Sequence, residues 1–340
     1  QMVPGNEAGG DIMAKITRSE RRLARDTLVV TVSTVVSVLT LGAVMAAEAL
    51  IARERLVPTR MRSVFPHSGV YGAERAGAPI RFGVMGDSLA VGYGAKDPDF
   101  APGVLLAKEL SEASGRPVDL TNVAEVGAES TGLITQLVRL HTLSTPDVVL
   151  IIIGVNDVMH GRRLTDSLIP LMEVVRELRG RGSQVIVATC ADLGAVHPIF
   201  EPLRFFLHWW CRLLATSQAF VVLREGGRSV SLADTLGTLF RKTPELFSER
   251  DHLHPSDEGY AEAARAILPS LCAAVGVAGG KGRPAPHRVY HRGNRHPLAW
   301  WAFRASRIAG ARLTAAESAT AMDPPVGRLR SKPPHERHSA

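Results

Sequence analysis

Short apolar runs alternate with amphipathic stretches from Ile80 onward, and this alternation constrains the fold of the chain more than any other feature. The apolar runs have the length of strands, and the amphipathic stretches have the length of helices. The run DVVLIIIG at 147–154 is almost wholly apolar, which is typical of a strand buried on both faces of a parallel sheet. The pattern therefore predicts an α/β fold assembled from right-handed βαβ units.

The individual elements follow from the same pattern. We predict four buried strands and a weaker fifth, at 80–85, 117–123, 147–154, 183–189 and 220–223. We predict helices between and after them, at 103–114, 130–140, 168–180, 204–218 and 256–275, the last with Ser256 as its N-cap. In open parallel sheets the ligand site lies at the carboxyl ends of the strands, so chemistry is expected there.

Polar residues that suit acyl transfer follow three of these strands. Ser88 stands just after the first strand beside glycines, where a hydroxyl can lie exposed at the start of a helix. Asn156 follows the third strand, and its neutral amide can donate to a developing oxyanion. Gly127 follows the second strand, where the missing side chain lets a backbone N–H approach a ligand. We predict that the N–H groups of Ser88 and Gly127 and the side chain of Asn156 form an oxyanion hole.

The segment DHLHP at 251–255 supplies a base for the serine. His254 can accept the proton of Ser88, and Asp251, three residues earlier, can orient the imidazole and stabilise its cation. His252 is a rival base, but on an extended segment it would face away from His254, so only one of the two can meet Ser88. We predict Asp87, beside the serine, to be a structural hydrogen-bond partner of its loop.

These segments resemble the four conserved blocks of the SGNH hydrolases, also called GDSL esterases and lipases. GDSL at 86–89 is similar to the first block, Gly127 to the second, GVND at 154–157 to the third and DHLHP to the last. The resemblance covers about residues 79–277. It implies a three-layer αβα sandwich with a flavodoxin-like parallel sheet, and ester hydrolysis that needs neither metal nor cofactor.

We therefore expect a serine esterase that forms an acyl-enzyme. Short acyl esters are the default substrates, followed by lipid or cell-envelope O-acyl esters outside the cytoplasm. One alternative is O-acyl transfer or deacetylation of envelope glycans by the same machinery. Another is a binding module without activity that holds a glycan or a protein partner.

An uncharged run of twenty residues, 28–47, has the length of a membrane span. We interpret 1–27 as a short basic tail, 28–51 as a transmembrane signal anchor, 52–78 as a linker and 79–280 as the hydrolase domain. A signal peptide cleaved near Ala46, Ala47 and Ala49 is the alternative. Either way the catalytic domain is expected outside the cytoplasm, anchored in the cell membrane as a single-pass protein or secreted.

The basic charge of the chain is concentrated at its end. Residues 281–340 hold twelve Lys or Arg and three Asp or Glu, a net +9, so the remainder carries −2 of the total +7. We predict a largely disordered tail and no nucleic-acid partner. Within it 298–313 could form an amphipathic helix, lying on a membrane or packed on the body. We predict Trp209 and Trp210 to be core or pocket wall.

The cysteines are too few for a disulfide scaffold. Cys190, Cys211 and Cys272 also lack the spacing of a zinc site. One disulfide remains open if the domain is exported, and three buried thiols are the alternative.

Overall fold

A computed structural model describes the chain at residues 7–56, 66–196, 199–232, 239–277, 287–290, 298–305 and 312–315. Clustering of contacts divides the chain into two compact units, Gln1–Glu54 and Arg55–Ala340.

In the part of the first unit that the structure describes there is one long helix, α1, which runs from Glu7 to Leu56 and so ends just inside the second unit. Its stretch Arg25–Ile51 contains an 18-residue window with a mean hydropathy of 2.2. Hydroxyls within this stretch donate to carbonyls four residues earlier, as in Thr31 to Thr27 and Ser37 to Ser33. Such bonds satisfy the polar groups inside the helix itself, which an apolar environment requires. By length and composition the stretch is a candidate membrane span.

Within the described residues, the second unit contains one mixed sheet of eight strands. They are β1 Gly69–Tyr71, β2 Ile80–Gly86, β3 Val118–Asn122, β4 Val148–Ile152, β5 Gln184–Ala188, β6 Arg228–Val230, β7 His287–Tyr290 and β8 Arg312–Ala315. The order is β1-β3-β2-β4-β5-β6-β8-β7, and the five strands from β3 to β6 are parallel. These five have the flavodoxin-like order, so the predicted parallel α/β fold is confirmed.

Helices cover both faces of this sheet. They are α2 Ser88–Val91, α3 Pro102–Ser114, α4 Leu133–Leu143, α5 Val155–Met159, α6 Leu164–Gly180, α7 Leu203–Arg224, α8 Asp257–Ala274 and α9 Leu298–Ala305. The pair α3 and α8 packs on one face, and α4, α6 and α7 pack on the other. An apolar core lies between the sheet and this second group, around Met85, Ile151, Leu171 and Val187. The arrangement is a three-layer αβα sandwich.

The predicted fifth strand at 220–223 is wrong, because these residues belong to α7. Val222 and Leu223 continue the buried helical stripe that contains Leu214 and Ala219. The strand in that position of the sheet is β6, a short segment that contains Arg228, which is buried. Because β6 has only three residues and one of them is charged, it lacks the apolar run by which a strand is predicted from sequence.

The two ends of the second unit differ from the sequence expectation as well. β1 lies within the segment expected to be a linker, and α1 extends five residues into it. In the tail expected to be largely disordered, β8 pairs antiparallel with β6 and parallel with β7. The expected helix at 298–313 is shorter, since α9 ends at Ala305 and Arg312 begins β8. Backbone hydrogen bonds to β6 favour a strand over a helix at β8. No local sequence pattern indicates this pairing.

Candidate active site

Ser88 lies at the turn where β2 gives way to α2. Asp87 is the N-cap of this helix, and its Oδ1 accepts a hydrogen bond of 2.9 Å from the N–H of Leu89. Gly86 adopts a φ of 135°, and a Cβ there would lie 1.9 Å from the carbonyl oxygen of Ile152. Only glycine therefore allows β2 to end this close to β4. The turn leaves Ser88 as the first residue of α2, close to the unpaired N–H groups of the helix start.

His254 approaches Ser88 from the loop before α8. Its Nε2 lies 2.8 Å from Ser88 Oγ, and its Nδ1 lies 2.6 Å from Asp251 Oδ2. With Nδ1–H donating a hydrogen bond to the Asp251 carboxylate, Nε2 is left to accept the hydrogen bond that the Ser88 hydroxyl donates. This is the hydrogen-bond order that activates a serine nucleophile.

Asp251 is held as a carboxylate in a buried position. Burial alone would raise its pKa, but the hydrogen bond and charge of His254 outweigh that effect. The backbone N–H groups of Leu253 and His254 add hydrogen bonds of 3.0 and 3.1 Å to Oδ1. The pKa of Asp251 therefore lies below its ordinary value, and the side chain remains ionised at neutral pH.

The imidazole of His254 is packed against aromatic and backbone groups. The ring of Tyr93 lies 4.7 Å from it, centroid to centroid, and the Tyr260 hydroxyl donates a 2.6 Å hydrogen bond to the carbonyl of Tyr93. Gly94 lies so close that a Cβ on it would come within 2.7 Å of His254 Cβ. Tyr93 could not be predicted from the sequence, because a single tyrosine after a glycine turn belongs to no recognisable sequence pattern.

A hydrogen bond links the side chain of Asn156 to the segment that carries Gly127. Asn156, in the first turn of α5, donates from Nδ2 to the carbonyl of Ala128 at 2.9 Å. This bond fixes the amide and leaves its second N–H for another acceptor. Gly127, next to Ala128, is exposed and has a left-handed φ of 81°.

Asp157 ties the same turn to α5 and α6. Its buried carboxylate accepts hydrogen bonds from the N–H and the hydroxyl of Ser130, at 3.1 and 3.0 Å to Oδ2. It also accepts a 2.8 Å bond from the hydroxyl of Ser167. The fourth position of the GVND segment therefore holds the turn that carries Gly127, a role the sequence analysis did not assign.

Asp87 combines its capping role with complete burial. Burial raises its pKa to about 7, and the nearby charge of Asp157 adds to the effect, against the opposing N–H groups of Leu89, Gly154 and Val155. Its Oδ2 has no hydrogen-bond partner within ordinary distance among the described residues. Near neutral pH, the carboxyl of Asp87 is therefore protonated in some molecules and ionised in others. It is also an N-cap, in keeping with the structural role that the sequence predicts.

Two buried glutamines support the strand ends beneath the site. Gln136 accepts from the N–H of Gly86 at 2.7 Å and donates to its carbonyl at 2.8 Å. Gln218 accepts from the N–H of Cys190 at 2.8 Å and donates to the carbonyl of Ile153 at 3.0 Å. These amides satisfy backbone groups that the sheet leaves unpaired. Sequence reasoning missed both, since a single glutamine on an amphipathic helix is ordinary.

A small apolar cavity opens beside Ser88 and His254. The cavity has a volume of about 40 Å³. Asp192 also lines it and brings a further charged side chain. The apolar lining comprises Leu89, Val155, Ala191, Leu193, Ala195, Val196, Phe240, Phe247, Leu253 and Pro255.

Other residues named from the sequence lie elsewhere. His252 is exposed, with a left-handed φ of 51° in a tight turn, so the extended segment expected there is not formed. The expectation that Trp209 and Trp210 belong to the core or the pocket wall is wrong, since they are 50% and 39% exposed on α7. Their positions fall on the side of α7 opposite its buried stripe. The three cysteines, Cys190, Cys211 and Cys272, are buried and form no disulfide.

Comparisons with known proteins agree with this geometry. The model of the GDSL-like lipase/acylhydrolase family matches residues 84–262. The GDSL-like esterase Rv1075c of Mycobacterium tuberculosis is 36% identical over 233 residues, which are 63% of this chain and 74% of that protein.

Two solved structures are similar to this chain at low sequence identity. An acetylxylan esterase of Geobacillus stearothermophilus, Axe2, is 18% identical, and the match covers 57% of this chain and 95% of Axe2 with a TM-score of 0.45. TesA is 20% identical, with 56% and 97% covered and a TM-score of 0.46.

Proposed function

Because this chain belongs to the GDSL-like lipase/acylhydrolase family and is a hydrolase acting on ester bonds, we propose that Ser88, His254 and Asp251 are its catalytic triad. The observation that carries the proposal is the continuous hydrogen-bond chain from Ser88 Oγ through the imidazole to Asp251, at 2.8 and 2.6 Å. The proposed reaction uses Ser88 as its nucleophile and needs no second serine.

In the acylation step, Ser88 Oγ forms a bond to the ester carbonyl carbon while its proton passes to His254 Nε2. The carbonyl oxygen becomes an oxyanion, which accepts hydrogen bonds from the N–H groups of Ser88 and Gly127 and from Asn156 Nδ2. The carbon–oxygen bond to the alcohol then breaks, and the alcohol leaves with the proton from His254. Asp251 stabilises the imidazolium that exists between these two transfers.

In the deacylation step, water takes the place of the alcohol. His254 removes a proton from the water as its oxygen attacks the acyl-enzyme, and the second oxyanion is held by the same donors. Ser88 then leaves as the hydroxyl, recovering the proton from His254, and the carboxylic acid is released.

The cavity suggests the acyl group. Apart from Asp192 and the proposed catalytic residues its lining is apolar, and its small volume suits a short acyl chain. We infer that the enzyme removes short acyl groups from lipid or cell-envelope O-acyl esters. The candidate span Arg25–Ile51 supports a membrane location, and we place the hydrolase domain on the outer side of the membrane.

A series of p-nitrophenyl esters of rising acyl length tests the activity and the acyl preference together. We expect kcat/KM to be highest for acetate to butyrate and to fall by at least about tenfold by octanoate, because longer chains exceed the cavity. Ser88→Ala should abolish turnover for every ester. Folded protein that hydrolyses none of them would favour a binding module, and transfer to an added sugar hydroxyl in preference to water would favour acyl transfer.

A membrane-impermeant fluorophosphonate applied to intact cells tests the location. Labelling before lysis is expected if the domain is outside the cytoplasm. Labelling that appears only after lysis would contradict the proposed topology.

A further inference from the structure

Helix α7 exposes a row of large apolar side chains. Phe205, Phe206, Trp209, Trp210 and Leu213 are between 39% and 56% exposed. Their spacing of i, i+1, i+4, i+5 and i+8 places them on one side of the helix. The opposite side is already buried against the body of the protein. A helix that is apolar on both sides is normally covered on both, so this open side calls for an explanation.

Helix α9 extends the same surface. It packs against α7, and its Phe303 is 44% exposed. Arg304 lies over the ring of the adjacent Trp300, with its guanidinium carbon 5.4 Å from the ring centroid. We call the exposed apolar side chains of α7 together with Phe303 the aromatic surface. With Arg304 beside it, this surface combines Trp, Phe and Arg, the residue types that concentrate at the boundary between lipid headgroups and acyl chains.

The charge of these segments matches an anionic bilayer. Residues 199–224 and 298–305 hold four arginines and one glutamate, a net +3. Basic residues beside an apolar face add attraction to anionic headgroups, about 1 kcal/mol for each near the surface.

The aromatic surface is continuous with the rim of the cavity. Asp192, which lines the cavity, is bonded through Oδ2 to Nδ1 of His208 on α7 at 2.7 Å. Its Oδ1 accepts from the N–H of Gly194 at 2.8 Å, which fixes the rim segment 193–195. Arg212 donates to His208 Nε2 at 3.1 Å, so both imidazole nitrogens are used in holding the rim on α7.

We propose that the aromatic surface docks on a lipid bilayer that contains anionic lipids, and that this brings the rim of the cavity to the membrane. The candidate span in α1 favours lipid over a protein partner, because the same chain is then tethered to a bilayer. The docking does not depend on the proposed reaction, and its test uses no activity measurement.

Tryptophan emission reports on α7 and α9, the two helices that carry this surface. The chain has four, Trp209, Trp210, Trp300 and Trp301, all in α7 or α9, and the candidate span has none. The full chain is reconstituted into vesicles with about one third phosphatidylglycerol, made with either brominated or ordinary phosphatidylcholine. Bromine quenches tryptophan by contact, so docking predicts emission lower by about half in the brominated vesicles.

Paired variants locate the contact. Phe205→Glu with Leu213→Glu should restore emission in brominated vesicles toward the ordinary level, since both charges enter the docking face. Val138→Glu with Leu143→Glu, at exposed apolar positions of α4, is the matched control and should be quenched like the unmodified chain. Equal emission of the unmodified chain in the two vesicle types overturns the proposal. Accompanying acrylamide quenching then shows whether water or protein covers the tryptophans.

Discussion

His254 Nε2 lies 2.8 Å from Ser88 Oγ, although 166 positions separate the two residues along the chain. The contact arises because Ser88 follows the central strand β2, while the loop that carries His254 precedes a helix packed beside α3. The backbone of Gly94 fills the space behind His254, so the length of this hydrogen bond depends on a residue that takes no part in it.

Gly94→Ala should therefore reduce kcat by roughly ten- to a hundredfold with little change in KM, because misplacement by about 1 Å costs that much. The new Cβ would lie 2.7 Å from His254 Cβ and 2.9 Å from the carbonyl of Pro255. Gly182→Ala is the control, since its φ of +90° resembles the +99° of Gly94 while its surroundings are open. Steady-state kinetics that show the same loss in both variants would contradict the crowding argument.

Asn156→Ala should lower kcat by about 10²–10³-fold and leave KM nearly unchanged, because its donor acts on the oxyanion of the transition state. His160→Ala is a neighbouring control. That side chain is exposed and bonded to Glu129 at 2.7 Å, outside the proposed reaction. If Asn156→Ala costs less than about tenfold in kcat, the amide does not serve the oxyanion.

Asp87→Asn should change how stability depends on pH. The folded pKa of Asp87, about 7, is raised above the ordinary 3.8, so its stabilising contribution is complete below pH 3.8. This stabilising contribution is lost as the pH rises to about 7. The shift in pKa corresponds to roughly 4 kcal/mol in the free energy of unfolding. Denaturant unfolding at several pH values should show a decline for the unmodified chain that the variant lacks. Parallel curves for the two proteins from pH 4 to pH 8 would show that Asp87 is ionised throughout.

The central fold could be predicted from sequence because strands buried on both faces leave apolar runs that few other structures produce. β4 and β5 are of this kind, and their helices have clear amphipathic periods. β6 and β8 could not be found, since their pairing is set by neighbours distant in sequence and their compositions include Arg228 and Arg312. Likewise 220–223 looks like a strand locally, and only its packing as part of α7 reveals the helix.

The site shows the same division. The residues proposed for catalysis, Ser88, Asp251, His254 and Asn156, could be named from the sequence because the proposed acyl transfer needs particular residue types near strand ends. Tyr93, Gln136 and Gln218 contribute by packing or by satisfying buried backbone groups. Many residue types perform such roles in other folds, so only the three-dimensional arrangement identifies them.

Mapping the adduct of a fluorophosphonate by mass spectrometry tests whether Ser88 is the nucleophile that His254 activates. We expect one modified peptide with the label on Ser88, no label in Ser88→Ala, and labelling slowed by at least about a hundredfold in His254→Asn. His252→Asn should label at the unmodified rate, because His252 is exposed and asparagine tolerates its left-handed backbone. A label on another residue, or His254→Asn reacting as fast as the unmodified chain, would contradict the account.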